Sequence, residues 1–377
     1  MAPQPFPSMF LWPALAAQSA SKFAAAVADE LAELAGPGEQ TSQLPEPTWT
    51  TPNRVALELP SMQLRDFSTE AIGTPTLICA PFALHRATIV DFADGHSLVA
   101  ALRHRGLARV HVTDWRSATP EMRFLPIDSY LADLNVAVDE FNGPVDLIGL
   151  CQGGWMALVY AARFPGKVRK LVLAGAPIDI AASESGLSRF TASMPMSMFE
   201  ELVELGGGRF LGQRALGLWG PDQLDSSAVR DVLQLPIEVP GTSDIEARFD
   251  RWYAWTVDLP GTYYLQVVEW LFKENRLAKG AFVALGRRID LAEVRVPMFL
   301  LAARDDELIA PDQVFATERH VGTAPAGIRK FLAPCRHLGL FMGATTLSNT
   351  WSEIARFIRN SPETIAPRPK VPADSAP

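Results

Sequence analysis

The stretch VDLIGLCQGGWMALVYAARFP, residues 145–165, decides the fold. Its first six residues, Val145–Leu150, are an apolar run of strand length, and Trp155–Phe164 reads as a helix. Between them Gly149, Gly153 and Gly154 bracket Cys151. This is the G-x-S-x-G nucleophile elbow with cysteine in the nucleophile position. The nucleophile of such an elbow sits on a tight, strained turn and projects above the sheet. Residues two before and two after it crowd together, so only small side chains fit there. The turn also aims the backbone N–H of Gln152 and the N-terminus of the following helix at one point, which favours a thiolate and can hold an oxyanion. A structural cysteine beside a glycine turn would account for Cys151 alone. It does not account for three glycines in register between a strand and a helix.

Working outward, short apolar runs alternate with longer amphipathic ones. Further strands are expected at Thr76–Ala80, Arg109–Thr113, Lys170–Ala174, Met298–Ala302 and, more weakly, Gly327–Leu332. Helices are expected at Gly95–Arg105, Ile127–Phe141, Pro311–Val321 and Thr346–Arg359. Strands buried on both faces and separated by helices imply an α/β protein with a mostly parallel, doubly wound sheet. With the elbow, that is an α/β-hydrolase fold whose core spans 70–180 and 286–360. The interval 181–285 breaks the rhythm with Met-rich and aromatic helical stretches and reads as an inserted helical cap. Within it, Ser193–Leu205 and Trp252–Phe272 are expected to line an apolar acyl tunnel, the alternative being that their aromatics form the cap's own core. Residues 1–69 read as an N-terminal amphipathic helix (Trp12–Leu34) and a linker, and the proline-rich 361–377 as a disordered tail.

A cysteine in this elbow needs a base and an orienting acid, in the chain order nucleophile, acid, histidine. Downstream of Cys151 stand two histidines, His320 and His337. His337 lies in a loop after the last expected strand, where the base of this architecture belongs. His320 falls in a helical pattern and reads as surface or packing. The acid should follow the strand MFLLAA, where Asp306 is the first choice, with Asp305 and Glu307 in reserve. The oxyanion donors are expected from the backbone of Gln152 and, in the loop PFALHRAT, from a residue near Ala83 or Leu84; Leu84 is the choice here. Phe82 and Trp155 are expected to contact substrate. His85 in the same loop reads more readily as structural.

The chain has 377 residues with 34 basic and 42 acidic side chains, and a protein that neutralises phosphates would lean the other way. Three cysteines make no disulfide framework and suggest a reducing compartment. Cys79, Cys151 and Cys335 lack metal-ligand spacing, and the glycines around Cys151 are no dinucleotide fingerprint, so neither metal nor cofactor is expected. Charges interrupt the alanine-rich N-terminal segment, no basic leader precedes it, and a soluble, cytoplasmic protein is expected.

The segment GLCQGG resembles the modified lipase box of polyhydroxyalkanoate synthases, and NRLAKGAFVALGRRIDLAEVRVP is similar to the stretch before their catalytic aspartate. VTDW, GAPID, DLPGTYYLQVVEWLF and HLGLFMG are closer to the intracellular polyhydroxyalkanoate depolymerases. The resemblance covers roughly residues 70–360 and implies a Cys–Asp–His triad, carried here by Cys151, Asp306 and His337. Departures are Gly153, where the depolymerases usually carry proline, and Arg336-His337, where the short synthases carry Gly-His. The resemblance implies an enzyme acting on a polyester or on a 3-hydroxyacyl ester or thioester, with docking on polyester granules. Hydrolysis of intracellular poly(3-hydroxyalkanoate) is the first expectation. The alternatives are polymer synthesis, with coenzyme A as leaving group, and hydrolysis of a smaller ester or thioester. Homo-oligomerisation and a partner subunit stay open.

Overall fold

The computed structural model describes residues 45–219, 226–235 and 242–360. The N-terminal amphipathic helix and the proline-rich tail expected from the sequence lie outside these residues. Eight strands form the main sheet: β1 (Arg54–Glu58), β2 (Met62–Asp66), β3 (Thr76–Cys79), β4 (Val110–Trp115), β5 (Val145–Leu150), β6 (Val168–Ala174), β7 (Met298–Ala303) and β8 (Ile328–Ala333). Their spatial order is β1-β2-β4-β3-β5-β6-β7-β8. From β4 to β8 every neighbouring pair is parallel, and β1–β2 and β2–β4 are antiparallel. The central strands β3, β4, β5 and β7 are buried along their whole length, as continuous apolar runs require when helices cover both faces. The covering helices include α1 (Leu98–His104), α2 (Ile127–Asp139), α3 (Gln152–Arg163) and α4 (Thr350–Arg359).

The sheet begins at Arg54, not near residue 70 as the sequence suggested. β1 and β2 are an antiparallel hairpin at the edge, closed by reciprocal Leu59–Met62 backbone bonds. β1 is mostly exposed and β2 alternates between buried and half-buried residues, so their charged side chains hide the strand signal. The segment before them is anchored too. Asp91 is fully buried, and its Oδ2 accepts from the Thr50 and Thr51 amides at 2.9 and 2.7 Å.

Between β6 and β7 the chain is mostly helical, with helices at Gly186–Ser193, Met196–Leu205, Gly212–Trp219, Ser226–Leu233, Thr242–Ala254 and Gly261–Gln266. The last continues directly into a π-helix, Val267–Lys273. Two small strand pairs, Arg209–Phe210 with Leu259–Pro260 and Val283–Ala284 with Arg287–Arg288, were not anticipated.

Candidate functional site

β5 ends at Leu150 and α3 starts at Gln152, which leaves Cys151 alone to make the turn. Its φ of 47° and ψ of −117° are costly for a residue with a side chain, on the order of 1–3 kcal/mol. The surroundings hold it there. Its amide donates to the Ala174 carbonyl and its carbonyl accepts from the Gly154 amide, both at 2.9 Å. The three glycines are sterically required. A Cβ at Gly149 would lie 2.6 Å from Gly154 Cα, one at Gly153 2.1 Å from the Cys79 carbonyl oxygen, and one at Gly154 2.3 Å from Ala176 Cβ.

Asp306 follows β7 and His337 follows β8, so parallel neighbouring strands deliver both to the same edge of the sheet as the elbow. His337 Nδ1 lies 2.8 Å from Asp306 Oδ2; a carboxylate accepts, so Nδ1 donates. Asp306 Oδ1 accepts from the Leu308 and Ile309 amides, both at 2.9 Å, which fixes the carboxylate. The His337 and Asp306 side chains are only 2% and 1% exposed. Burial alone would push the imidazolium down. The Asp306 and Cys151 side chains outweigh it and hold the imidazole well above its ordinary value. Cys151 is thus close enough to act on the ring, although the pair falls short of a regular hydrogen bond and Nε2 is buried without another partner. Of the two adjacent aspartates, Asp306 is the one that meets His337. Asp305 is exposed and pairs with Arg304 at 3.0 Å. His320 pairs with Asp179 at 3.0 Å, as a packing histidine would.

The Gln152 and Leu84 amides donate no hydrogen bond to the protein among the described residues. Both residues line a cavity of about 130 Å³ that also reaches Cys151 and His337. Its walls are overwhelmingly apolar. Phe82 belongs to them, together with Phe199, Leu259, Tyr263, Tyr264, Val267, Val268 and Phe272 from the two cap segments singled out in the sequence. Leu187, Phe190 and Phe210 line it from outside those segments, and Phe210 stacks on Tyr264 with centroids 3.9 Å apart. Trp155 does not line the cavity. It is fully buried, and its indole N–H donates to Gln152 Oε1 at 2.6 Å, so it props the elbow from behind. Nor does Trp252, which packs on His85 and Phe249.

One neighbour of His337 and Asp306 was missed, and another was read only as a reserve acid. Gly175, with φ of +58°, lies against the His337 ring, and only its close packing reveals it. Glu307 has both carboxylate oxygens buried with no hydrogen-bond partner; burial first, then Asp306, pushes its carboxyl up to about 7. Its place beside Asp306 was visible in the sequence, but not its isolation.

The family model described as "Protein of unknown function (DUF3141)" matches residues 66–330. The chain belongs to the DUF3141 family. Among relatives of this DUF3141 chain, a Synechocystis protein named poly(3-hydroxyalkanoate) polymerase subunit PhaC is 27% identical over 304 residues, 75% of this chain and 78% of that protein. Its namesake from Allochromatium vinosum is 25% identical over 301 residues, 77% of this chain and 81% of the other. The likeness to polyhydroxyalkanoate enzymes therefore extends over most of the chain. Among solved structures, a mutant epoxide hydrolase from Bacillus megaterium matches with a TM-score of 0.52 at 14% identity, covering 79% of this chain and 98% of the other. The fold is that of the α/β-hydrolases. Among the described residues no helix is long and apolar enough to cross a membrane.

Proposed function

We propose that this DUF3141 protein transfers 3-hydroxyacyl groups through an acyl-Cys151 intermediate, in the direction of polyester synthesis. The observation that carries the reading is the placement of Cys151, on a strained elbow beside the His337–Asp306 pair, in a cavity walled by apolar side chains. The names of the relatives favour synthesis over the hydrolysis expected first from the sequence. An apolar enclosure supports the same choice, because it disfavours water as the acceptor of the acyl group.

In the first half-reaction the Cys151 proton passes to His337 Nε2, and Sγ attacks the carbonyl of a hydroxyacyl thioester. The carbonyl oxygen draws on the Gln152 and Leu84 amides as it gains charge. The carbon–sulfur bond of the incoming thioester breaks, and the departing thiolate takes the proton from His337. In the second half the hydroxyl of a growing chain gives its proton to His337 and attacks acyl-Cys151, forming the ester bond and freeing Sγ. Asp306 holds the imidazole in the tautomer that presents Nε2 and stabilises its charged form. Depolymerisation uses the same intermediate with water as acceptor.

Purified protein given 3-hydroxybutyryl-CoA and, separately, amorphous polyester granules tests the reading. Coenzyme A release with an acyl mass on Cys151, followed by polymer and without granule erosion, supports transfer. Free 3-hydroxy acids from granules, lost in Cys151→Ala, would reverse the direction. No acylation from either source would point to a smaller ester or thioester.

A further inference from the structure

The polar groups of the cavity wall are largely committed to the protein. Thr191 Oγ1 donates to the Leu187 carbonyl at 2.9 Å, and Tyr263 Oη donates to the Phe82 carbonyl at 3.4 Å. Gln152 Oε1 accepts from Trp155, whereas the Tyr264 hydroxyl has no hydrogen-bond partner but is fully buried, with no surface open to a ligand. His85 is different. Its Nδ1 lies 3.4 Å from the Trp255 carbonyl oxygen, which can only accept, so Nδ1 carries the hydrogen and Nε2 presents a lone pair. Nε2 makes no hydrogen bond among the described residues, and His85 is half-buried and lines the cavity that holds Cys151.

The ring is also held. It packs against both Trp252 and Tyr253, at centroid distances of 4.6 and 5.1 Å, and the carbonyl of the preceding Leu84 accepts from the Val257 amide at 2.9 Å. Burial keeps the imidazole neutral by pushing it down to about 4, so it stays an acceptor across the physiological range. A free acceptor on the wall of an apolar cavity can receive a hydrogen from a ligand O–H or N–H.

We propose that His85 Nε2 accepts a hydrogen bond from the 3-hydroxyl of the acyl group on Cys151, and so selects hydroxyacyl over plain acyl substrates. This rests on the acyl-Cys151 reading above. The assignment uses chain neighbours for neighbouring oxygens. Leu84 N–H serves the thioester oxygen on C1, and the side chain of the next residue, His85, serves the oxygen on C3. A buried acceptor left unpaired also explains how selectivity arises, because a substrate without the hydroxyl strands it.

The test compares acylation rates of Cys151 by 3-hydroxybutyryl and butyryl thioesters in the full-length protein, read by mass. His85→Phe is expected to lower the ratio of hydroxyacyl to butyryl rates at least tenfold, beyond any slowing common to both substrates from loss of the Trp255 bond. Should that variant not fold, His85→Gln and His85→Met give the same comparison: glutamine keeps an acceptor and retains selectivity, and methionine loses it. Equal slowing of both substrates, or a selectivity ratio that no His85 variant changes, overturns the hydroxyl contact and leaves the acyl-Cys151 reading standing. Failure of the unaltered protein to be acylated by either thioester overturns both.

Discussion

Gly175 and His337 touch with no space between them. A Cβ at Gly175 would sit 3.0 Å from His337 Cε1 and 2.9 Å from Leu340 Cδ1, on a backbone with φ of +58°. Gly175→Ala should therefore push the imidazole out of line with Cys151. Displacement of a catalytic group by a fraction of an ångström to one ångström costs about 10- to 100-fold in kcat. KM should change little, because the acyl cavity is untouched, and the left-handed backbone adds about 1–2 kcal/mol of strain, visible as a lower Tm. Steady-state kinetics with wild-type kcat in the alanine variant would contradict the contact.

Gly153 faces a harder obstacle, since a Cβ there would meet the carbonyl oxygens of Cys79 and Ala80 at 2.1 and 2.6 Å. Both belong to backbone at the end of β3 and cannot swing aside. Gly153→Ala should cost about 1–3 kcal/mol of stability and disturb the loop that follows β3. A thermal melt checks the first, and the rate of Cys151 alkylation checks the second. Proline, usual at this position in the depolymerases that parts of the chain resemble, has no room here.

The two aspartates after β7 should separate cleanly. Asp306→Asn removes the acceptor that sets the His337 tautomer, with an expected loss on the order of 10⁴ in kcat. Asp305→Asn breaks only a surface pair with Arg304, so activity should stay within about twofold and stability within about 0.5 kcal/mol. Comparable losses in the two variants would refute the assignment.

Glu307 predicts a pH dependence of stability. Its carboxyl is raised in the folded protein to about 7 by burial and by Asp306, with His337 and Arg336 opposing in part. A raised pKa contributes stability that is full below the unfolded value, near 4.3. It is lost as pH rises through about 7. Glu307→Gln, always neutral, should match the wild-type stability near pH 4 and exceed it near pH 8 by at most about 4 kcal/mol, read as a higher Tm. Parallel Tm-against-pH curves would rule this out.

The core was legible where local pattern and tertiary burial agree. Val145–Leu150 and its glycine brackets needed no correction, because the elbow's steric demands are written into consecutive residues. His337 and Asp306 were legible in outline, because chain order fixes which strand ends carry them. The choice of Asp306 over Asp305 was not, because adjacent residues after a strand differ only in which way packing turns them. Trp155 misled for a similar reason: it sits next to the elbow in sequence, but the turn of α3 carries it behind the site. The cap's aromatics gave helical stripes without saying which faced substrate, so Phe272 lines the cavity and Trp252 does not. β1 and β2 escaped because an edge hairpin keeps its charges.

The loop after β3 is stitched to the cap, through the Val257 amide on the Leu84 carbonyl and through His85 on the Trp255 carbonyl. A cap that swings away at residues 255–257 takes with it the bonds that hold the Leu84 amide in place. Access to Cys151 and stabilisation of charge on its substrate then belong to different moments of the cycle. With the cap raised, an acyl group on the sulfur would meet solvent with the Gln152 amide still on the elbow but the Leu84 amide released. With the cap lowered, the Leu84 amide would be held in place and the acyl group would lie among the apolar side chains of the cavity. The fold would thus protect a loaded thioester from water by timing, with no residue assigned to repel it.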